Sequence, residues 1–445
     1  MQKIIRLIAQ CVDVSTGKLI EESVIKEEPV SKALTLKELG YSHVEQIDFL
    51  RLIQDFKIKH QILLNTVAIC PICSKKTMKH GVNTAPFHAV LTDHEVLIQL
   101  TQCKCGWQSP TSIDGIFGSK LHPDLLKKQA IQGCKESFEK SSKSLEAESC
   151  AKRSVNGHTQ ISRSVKLVGA MLEKSRLNIK LPKDSDNCTP ELIVNIDGGH
   201  IKSRGDNRSF EAMVATVYQP TNVSLVNKSH NEITSKTIVA SAKDDAQATM
   251  KRLFKVACVS QGMGTKTLVT CLADGADNCR AIANSIIGHC NTMVYILDWF
   301  HISMKFKNIT IPEQHKELFA KIKWHLWHGN PEKALLRLDQ FKKLDMIATD
   351  ESTLMKLNKL STYILNNKTG IVNYEVRKNA GLVFTSNLAE SMVNTLINER
   401  QKGKQKMLWS RDGAHNILQI RAAVRSFDWT NKWKNVEESI YKLAA

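Results

Sequence analysis

Three short apolar runs in this chain each end in an aspartate: ELIVNID (Glu191–Asp197), TLVTCLAD (Thr267–Asp274) and TMVYILD (Thr292–Asp298). A glutamate, Glu390, stands near the start of a later helical pattern, NLAESMVNTLI (Asn387–Ile397). Near-continuous hydrophobic runs of this length read as buried parallel strands, and ligands of open α/β sheets gather beyond the carboxyl ends of such strands. Carboxylates placed there, joined by one from a helix, make a hard oxygen set suited to Mg²⁺ or Mn²⁺. Two such ions can clamp the attacking and leaving oxygens of a phosphodiester, so the chemistry indicated is nuclease-type chemistry on DNA.

Each acidic residue also has a plainer reading. An aspartate after a strand commonly forms a turn or caps a helix, and Asp298 would cap one starting near Trp299. Glu390 would be the third residue of a capping box behind Asn387. At about 100° per residue from Leu388, the apolar residues through Ile397 fill an arc of about 180°; Glu390 falls at about 200° and Asn394 at about 240°, on the rim of that stripe. Asp197 is followed by Gly198-Gly199-His200, which reads as a turn, and Asp274 by Gly275-Ala276-Asp277, a strand leaving into a turn and helix.

Cysteines make a second constellation. Cys70-Pro-Ile-Cys73 and Cys103-Lys-Cys105 are two knuckles 29 residues apart, and tetrahedral Zn²⁺ takes soft ligands in such pairs from tight turns. The second pair departs from Cys-x-x-Cys, and His80 or His88 could replace a thiolate. A chain without a signal-peptide core or an apolar stretch of ~20 residues is expected in a reducing cytoplasm, where close cysteine pairs indicate metal rather than disulfides. The other eight cysteines are scattered and read as core packing.

With 62 Lys+Arg against 44 Asp+Glu, the 445-residue chain carries a formal charge of +18, which favours a polyanionic partner through counterion release. Its 42% hydrophobic content indicates a globular fold. The pattern divides into an N-terminal region of unassigned role (1–65), a zinc-ribbon-like β module (66–120) and a helical region (121–180). Three short helices in the last are compatible with a helix-turn-helix, the third being basic through Arg163, Lys166 and Lys174. After a Pro/Asp/Ser linker, an α/β domain begins (190–310). A helical insertion (311–382) separates it from its second part (383–445) with a basic C-terminal helix. That second part holds Arg400, Lys402, Lys404, Lys406, Arg411, Arg421 and Arg425 around Trp409. Basic residues interleaved with an aromatic suit a phosphate-tracking surface with a stacking element; the alternative is a solvated loop with Trp409 in the core.

DGGHIKSR (Asp197–Arg204), ADGADN (Ala273–Asn278), DWFH (Asp298–His301), ESMVN (Glu390–Asn394) and QKMLWSRDGAHNILQIRAAV (Gln405–Val424) follow one another in order. Together they resemble the Mutator-like DDE transposases, most closely a bacterial insertion-sequence group of the ISKra type, over roughly residues 60–430. The resemblance implies an RNase H-like fold with a helical insertion before the last acidic residue. It also implies a metal-binding catalytic triad of Asp197, Asp274 and Glu390, with Asp298, His301 and Asn394 supporting it. It further implies cleavage of insertion-sequence ends and 3′-OH strand transfer into target DNA, with a homodimer or larger assembly on the terminal inverted repeats, near the bacterial nucleoid. Lys202, Arg204, Arg400, Lys402, Lys404, Lys406, Trp409 and Arg411 would contact DNA. The rival readings are a domesticated DNA-binding regulator, which has no reason to keep the acidic set, and an RNase H-like nuclease without strand transfer, which needs no end-recognition module.

Overall fold

The computed structural model describes residues 3–30, 39–61, 67–179, 188–205, 208–227, 230–386, 391–402 and 407–441. These fall into two compact units, 1–167 with 433–445, and 168–432.

In the first unit, β1 (Ile4–Val12) and β2 (Leu19–Pro29) form an antiparallel hairpin, followed by a helix at His43–Gln61. β2 carries four glutamates, Glu21, Glu22, Glu27 and Glu28. A second hairpin, β3 (Met78–His88) with β4 (Asp93–Gln102), alternates buried and exposed residues along β4. One face therefore closes a small core of Ala85, Val96, Ile98 and Ile113. Helices follow at Pro123–Lys135 and Phe138–Ser149, and a third, His158–Leu177, starts in this unit while its residues from Val168 on belong to the second. The three predicted helices are present, and Arg163, Lys166 and Lys174 are exposed on the last.

The second unit is built on a mixed five-stranded sheet. Its strands are β5 (Glu191–Lys202), β6 (Ser209–Tyr218), β9 (Thr237–Ser241), β10 (Leu268–Ala273) and β11 (Thr292–Leu297), in the order β11-β10-β5-β6-β9. A separate small hairpin joins β7 (Val223–Asn227) and β8 (His230–Ile233). β5, β10 and β11 run parallel, whereas β6 is antiparallel to both β5 and β9. The apolar runs predicted as parallel strands are adjacent, with β10 and β5 buried in the interior of the sheet and β11 at its edge, where only Ile296 and Leu297 are fully buried. Helix Ala248–Ser260 and the short helix Asp277–Ala283 close one core against them.

The outer edge of β9 is covered by helix Arg411–Arg425. An edge strand leaves backbone groups unpaired. Here they meet side chains one or two turns apart on the covering segment. His415 Nδ1 accepts from Ala242 N (3.3 Å), Gln419 Nε2 donates to Ala240 O (2.7 Å), and Ser426 Oγ accepts from Ile238 N (2.8 Å). This use of polar residues corrects the expectation of a basic helix facing DNA. Residues 414–423 are buried, and Arg421 lies inside against Thr395 O and Glu399. Glu173 ties the same helix to His158–Leu177: burial opposes its charge, but His415 and Lys243 outweigh that and hold its carboxyl down at about 2.

Gly169 is where those two helices touch. A Cβ there would stand 2.6–2.8 Å from the carbonyl oxygen, Cβ and Cα of Asn416. Backbone cannot move aside cheaply. Gly169→Ala is therefore expected to lose roughly 1–2 kcal/mol of stability, because overpacking outweighs the ~1 kcal/mol gain in helix propensity. Chemical denaturation measures it, and a more stable variant would refute the close contact.

The predicted helical insertion is present as helices Lys316–Trp327, Pro331–Lys342, Asp345–Ala348, Glu351–Asn366 and Tyr374–Asn379. They share a core with Ile296 and Leu297 of β11. Among the described residues, no helix is long and apolar enough to cross a membrane.

Candidate active site

Register places the acidic residues. The parallel ladders end on the pairs Ile196–Ala273 and Ala273–Leu297. One residue further along each strand stand Asp197, Asp274 and Asp298, level with one another on three neighbouring strands; Asp274 and Asp298 leave the ends of β10 and β11, whereas β5 continues past Asp197 to Lys202. The Asp298 amide still bonds Ala273 O at 2.9 Å.

Two tyrosines of the insertion brace this row. Tyr363 donates to the Asp274 carbonyl (2.9 Å) and Tyr374 to the Leu297 carbonyl (2.7 Å). The insertion thereby fixes the loops that carry the carboxylates.

The three side chains are held differently. Asp197 is half-buried and accepts from the Gly198 amide at 2.7 Å. Burial pushes its carboxyl above the ordinary value. His301 and the Gly198 amide pull it down, while the negative charges of Asp274 and Asp298 push it further up. Asp274 accepts from Ala276 N (2.8 Å) across the turn that Gly275 makes at φ +90°, and the Cys279 thiol bonds to it. Asp298 is fully buried. It caps helix Trp299–Lys307 through Phe300 N (3.1 Å), as its plainer reading anticipated, and also accepts from Ser386 N (3.0 Å) and Ser386 Oγ. His301 Nε2 lies 3.6 Å from Asp298. With both oxygens of Asp298 engaged by protein donors, it is the least available of the three as a metal ligand.

A small cavity of about 50 Å³ joins Asn195, Asp197, Thr216, Asp298, His301 and Ser386. Asn195, Thr216 and Ser386 carried no motif and were missed in the sequence. For Asn195 the available signal was spacing, since it precedes Asp197 by two residues and shares its strand face. Glu211 was missed as well: it pairs with His200 across β5–β6 and accepts from Asn278 Nδ2 at 2.6 Å.

The Gly198-Gly199 turn is corrected. β5 runs on to Lys202, with both glycines in the ladder opposite Met213 and Ala212. What they supply is close approach. A Cβ on Gly199 would lie 2.8 Å from Ile397 Cδ1 and 3.1 Å from Val393 Cγ1. The segment Ser391–Val393 therefore packs directly on β5 and continues through a π turn at Asn394–Asn398 to Glu399–Gln401. The π turn breaks the 100° step assumed for this helix, and Asn394 is exposed rather than among the cavity's lining residues. Glu390 lies outside the described residues, as do Lys404 and Lys406.

Of the expected DNA contacts, Lys202, Arg204 and Lys402 are exposed. Trp409 and Arg400 are buried, and the Arg400 guanidinium stacks 4.8 Å from the indole centroid. Trp409 N donates to Lys202 O (2.9 Å) and Trp409 O accepts from Arg204 N (3.0 Å), so this tryptophan extends β5 rather than offering a stacking face. Arg411 is half-buried between Ala242 O and Asp244 and lies over the Phe210 ring.

The cysteine site forms as the spacing predicts. The sulfurs of Cys70, Cys73, Cys103 and Cys105 all lie within 4.8 Å of one another, with Cys70–Cys105 at 3.6 Å and Cys73–Cys103 at 3.4 Å. Four sulfurs at roughly 2.3 Å from a tetrahedral Zn²⁺ would be about 3.8 Å apart, so the group fits a metal such as zinc. Both knuckles are tight turns: Ser74 N bonds Cys70 O, and Gly106 N, at φ +94°, bonds Cys103 O. Burial works against ionising Cys70, but backbone amides of Cys73 and Ile72 and the neighbouring thiols bring it down to about 7. His88 pairs with Asp93 instead and His80 is exposed, so neither replaces a thiolate. Of the other cysteines, Cys134, Cys258, Cys271 and Cys279 are buried as expected, whereas Cys150 is exposed. Among the described residues, no other group of three or more Cys, His, Asp or Glu side chains gathers this closely.

No curated protein matches the chain. Its residues 122–438, which include the three helices, the mixed sheet, the acidic row and the insertion, match a family with no characterised activity. The chain belongs to this uncharacterised protein family, UPF0236.

Proposed function

We propose that the chain is a DDE-type transposase that cuts the ends of its own DNA element and joins the freed 3′-OH to target DNA. The observation that carries this reading is the row of Asp197, Asp274 and Asp298, level with one another on three neighbouring strands where the parallel ladders end, with Asp197 in a field that disfavours its own charge. The described carboxylates do not themselves close to metal-ligand spacing, but their donors are the hard oxygens that Mg²⁺ or Mn²⁺ takes. The mixed sheet with a helical insertion after its last strand supports an RNase H-like reading. Membership of UPF0236, a family often seen in transposase-like insertion-sequence proteins, supports it too.

In this reading Asp197 and Asp274 hold the metal with Glu390. Mg²⁺, when bound, stabilises charge on the attacking and leaving oxygens. Asp298, pinned by Ser386 and Phe300, orients His301 toward Asp197. Tyr363 keeps the Asp274 turn in place. The exposed Lys202, Arg204 and Lys402 offer charge to DNA phosphates. Cys70, Cys73, Cys103 and Cys105 hold a structural Zn²⁺, and this module with the helices of 121–180 recognises the element's ends.

The test uses purified chain, Mg²⁺ and a linear DNA carrying the sequence that flanks the gene. Cuts at inverted repeats and joined products in a target plasmid are expected. Cuts without joined products would favour the nuclease reading, and an absence of metal-dependent cutting would overturn both.

Thiol rescue separates ligand from support. Asp274→Cys is expected to lose Mg²⁺-dependent cleavage and regain part of it in Mn²⁺, whose tolerance of sulfur is greater. Asp298→Cys should gain nothing from Mn²⁺. Rescue at Asp298 but not at Asp274 would exchange their roles.

A further inference from the structure

A further cavity in the second unit lies away from the acidic row. Helices Lys316–Trp327 and Pro331–Lys342 of the insertion enclose a groove of about 680 Å³. That volume is within the ~300–1,000 Å³ of small-molecule sites. Its floor is apolar, with Ile322 and Phe341 buried. Its rim is cationic on both helices, through Lys321 on one and Arg337 on the other, and no carboxylate is among its lining residues.

At the mouth stands Trp324, 56% exposed. Beside an apolar groove, so open an indole offers a flat face to a ligand. His328 backs its indole, ring centroids 4.0 Å apart, which holds the plane in place. Burial first, then the charges of Arg337, Lys333 and His328, pull His325 below the ordinary histidine value. Lys321 is bonded to Glu317 at 2.9 Å on the exposed side, a pair that solvent and salt weaken and that a phosphate can replace. Arg337 Nη1 donates to the neutral Gln340 Oε1 at 3.1 Å.

An indole at the mouth of an apolar slot, with cations on both walls, matches base and phosphate together. We propose that this groove binds an unpaired nucleotide of single-stranded DNA, the base on Trp324 and the flanking phosphates on Lys321 and Arg337. The proposal rests on the DNA-processing reading for the source of the strand. An amphipathic peptide would use the apolar floor, but it gains little from cations on both walls. Stacking is indifferent to base identity, so binding is sequence-tolerant.

The test measures binding of a fluorescent oligothymidine of about ten nucleotides to the full chain, in chelator, by anisotropy across a salt series. Trp324→Ala is expected to weaken binding by roughly 5- to 100-fold, and Trp324→Phe to stay within about threefold of the parent, since a ring still stacks. Lys321→Ala with Arg337→Ala should flatten the slope of log affinity against log salt by about 1.4, two phosphate contacts being lost. Melting curves should be unchanged, because Trp324 is largely exposed. Equal binding by Trp324→Ala, equal losses for Phe and Ala, or competition by polyglutamate as effective as by oligothymidine would each overturn the proposal. Cleavage is not read. A chain that binds single strands through Trp324 but never cuts DNA would sink the enzymatic reading alone. One that cuts DNA but binds single strands equally without Trp324 would sink the groove alone.

Discussion

Asp197→Asn and Asp274→Asn are each expected to lower metal-dependent DNA cleavage by at least about 10³-fold while DNA binding persists. Removing a ligand charge forfeits several kcal/mol of transition-state stabilisation, and each ~1.4 kcal/mol is a factor of ten in rate. The same loss is expected for Glu390→Gln. Stability separates this from a capping role. A lost cap lowers stability by about 1 kcal/mol. At Asp197, burial and two neighbouring carboxylates already disfavour the charge, so the amide should melt at the same temperature or higher in chelator. Cleavage assays and melting curves on the same preparations check both halves. Normal cleavage with a depressed melting temperature would make these aspartates structural and remove the basis of the enzymatic reading.

The second large effect concerns zinc. One zinc per chain is expected by elemental analysis, lost on Cys70→Ser or Cys105→Ser. A two-stranded hairpin is marginal alone, and β3–β4 adds a core of only a few buried side chains. Metal binding and folding are therefore linked, and loss of the ion should open residues 66–110 to protease. A metal-free protein with this region protected, or full retention in both variants, would refute the assignment.

The basic segment shows where one-dimensional reading fails. Arg400, Trp409 and Arg421 stand among lysines in the sequence and look like a DNA-facing surface. In the fold, Trp409 completes β5 and Arg421 is drawn inside by Glu399 and the Thr395 carbonyl. Whether an arginine faces solvent depends on a carboxylate or carbonyl far along the chain, which no local pattern reports. His415, Gln419 and Ser426 are similar. Their spacing says helix, but only the edge of β9 explains why they are polar and buried.

The sequence by itself determined what local physics can determine. Long apolar runs made parallel strands, and Asp274 and Asp298 fell just past the ends of two of them; β5 instead runs on past Asp197, because its pairing with β6 continues to Lys202. Paired cysteines in tight turns made a metal-sized cluster, since each knuckle needs only a few residues of backbone. Tertiary structure decided the rest. It aligned three neighbouring strands so that their carboxylates share one field, and it engaged both oxygens of Asp298 through Ser386, 88 residues away. It also turned Gly198-Gly199 from an expected turn into a seat for the segment that follows Glu390. Register, burial and distant partners arise from the sum of many weak contacts between elements, and none of these is encoded at a single position.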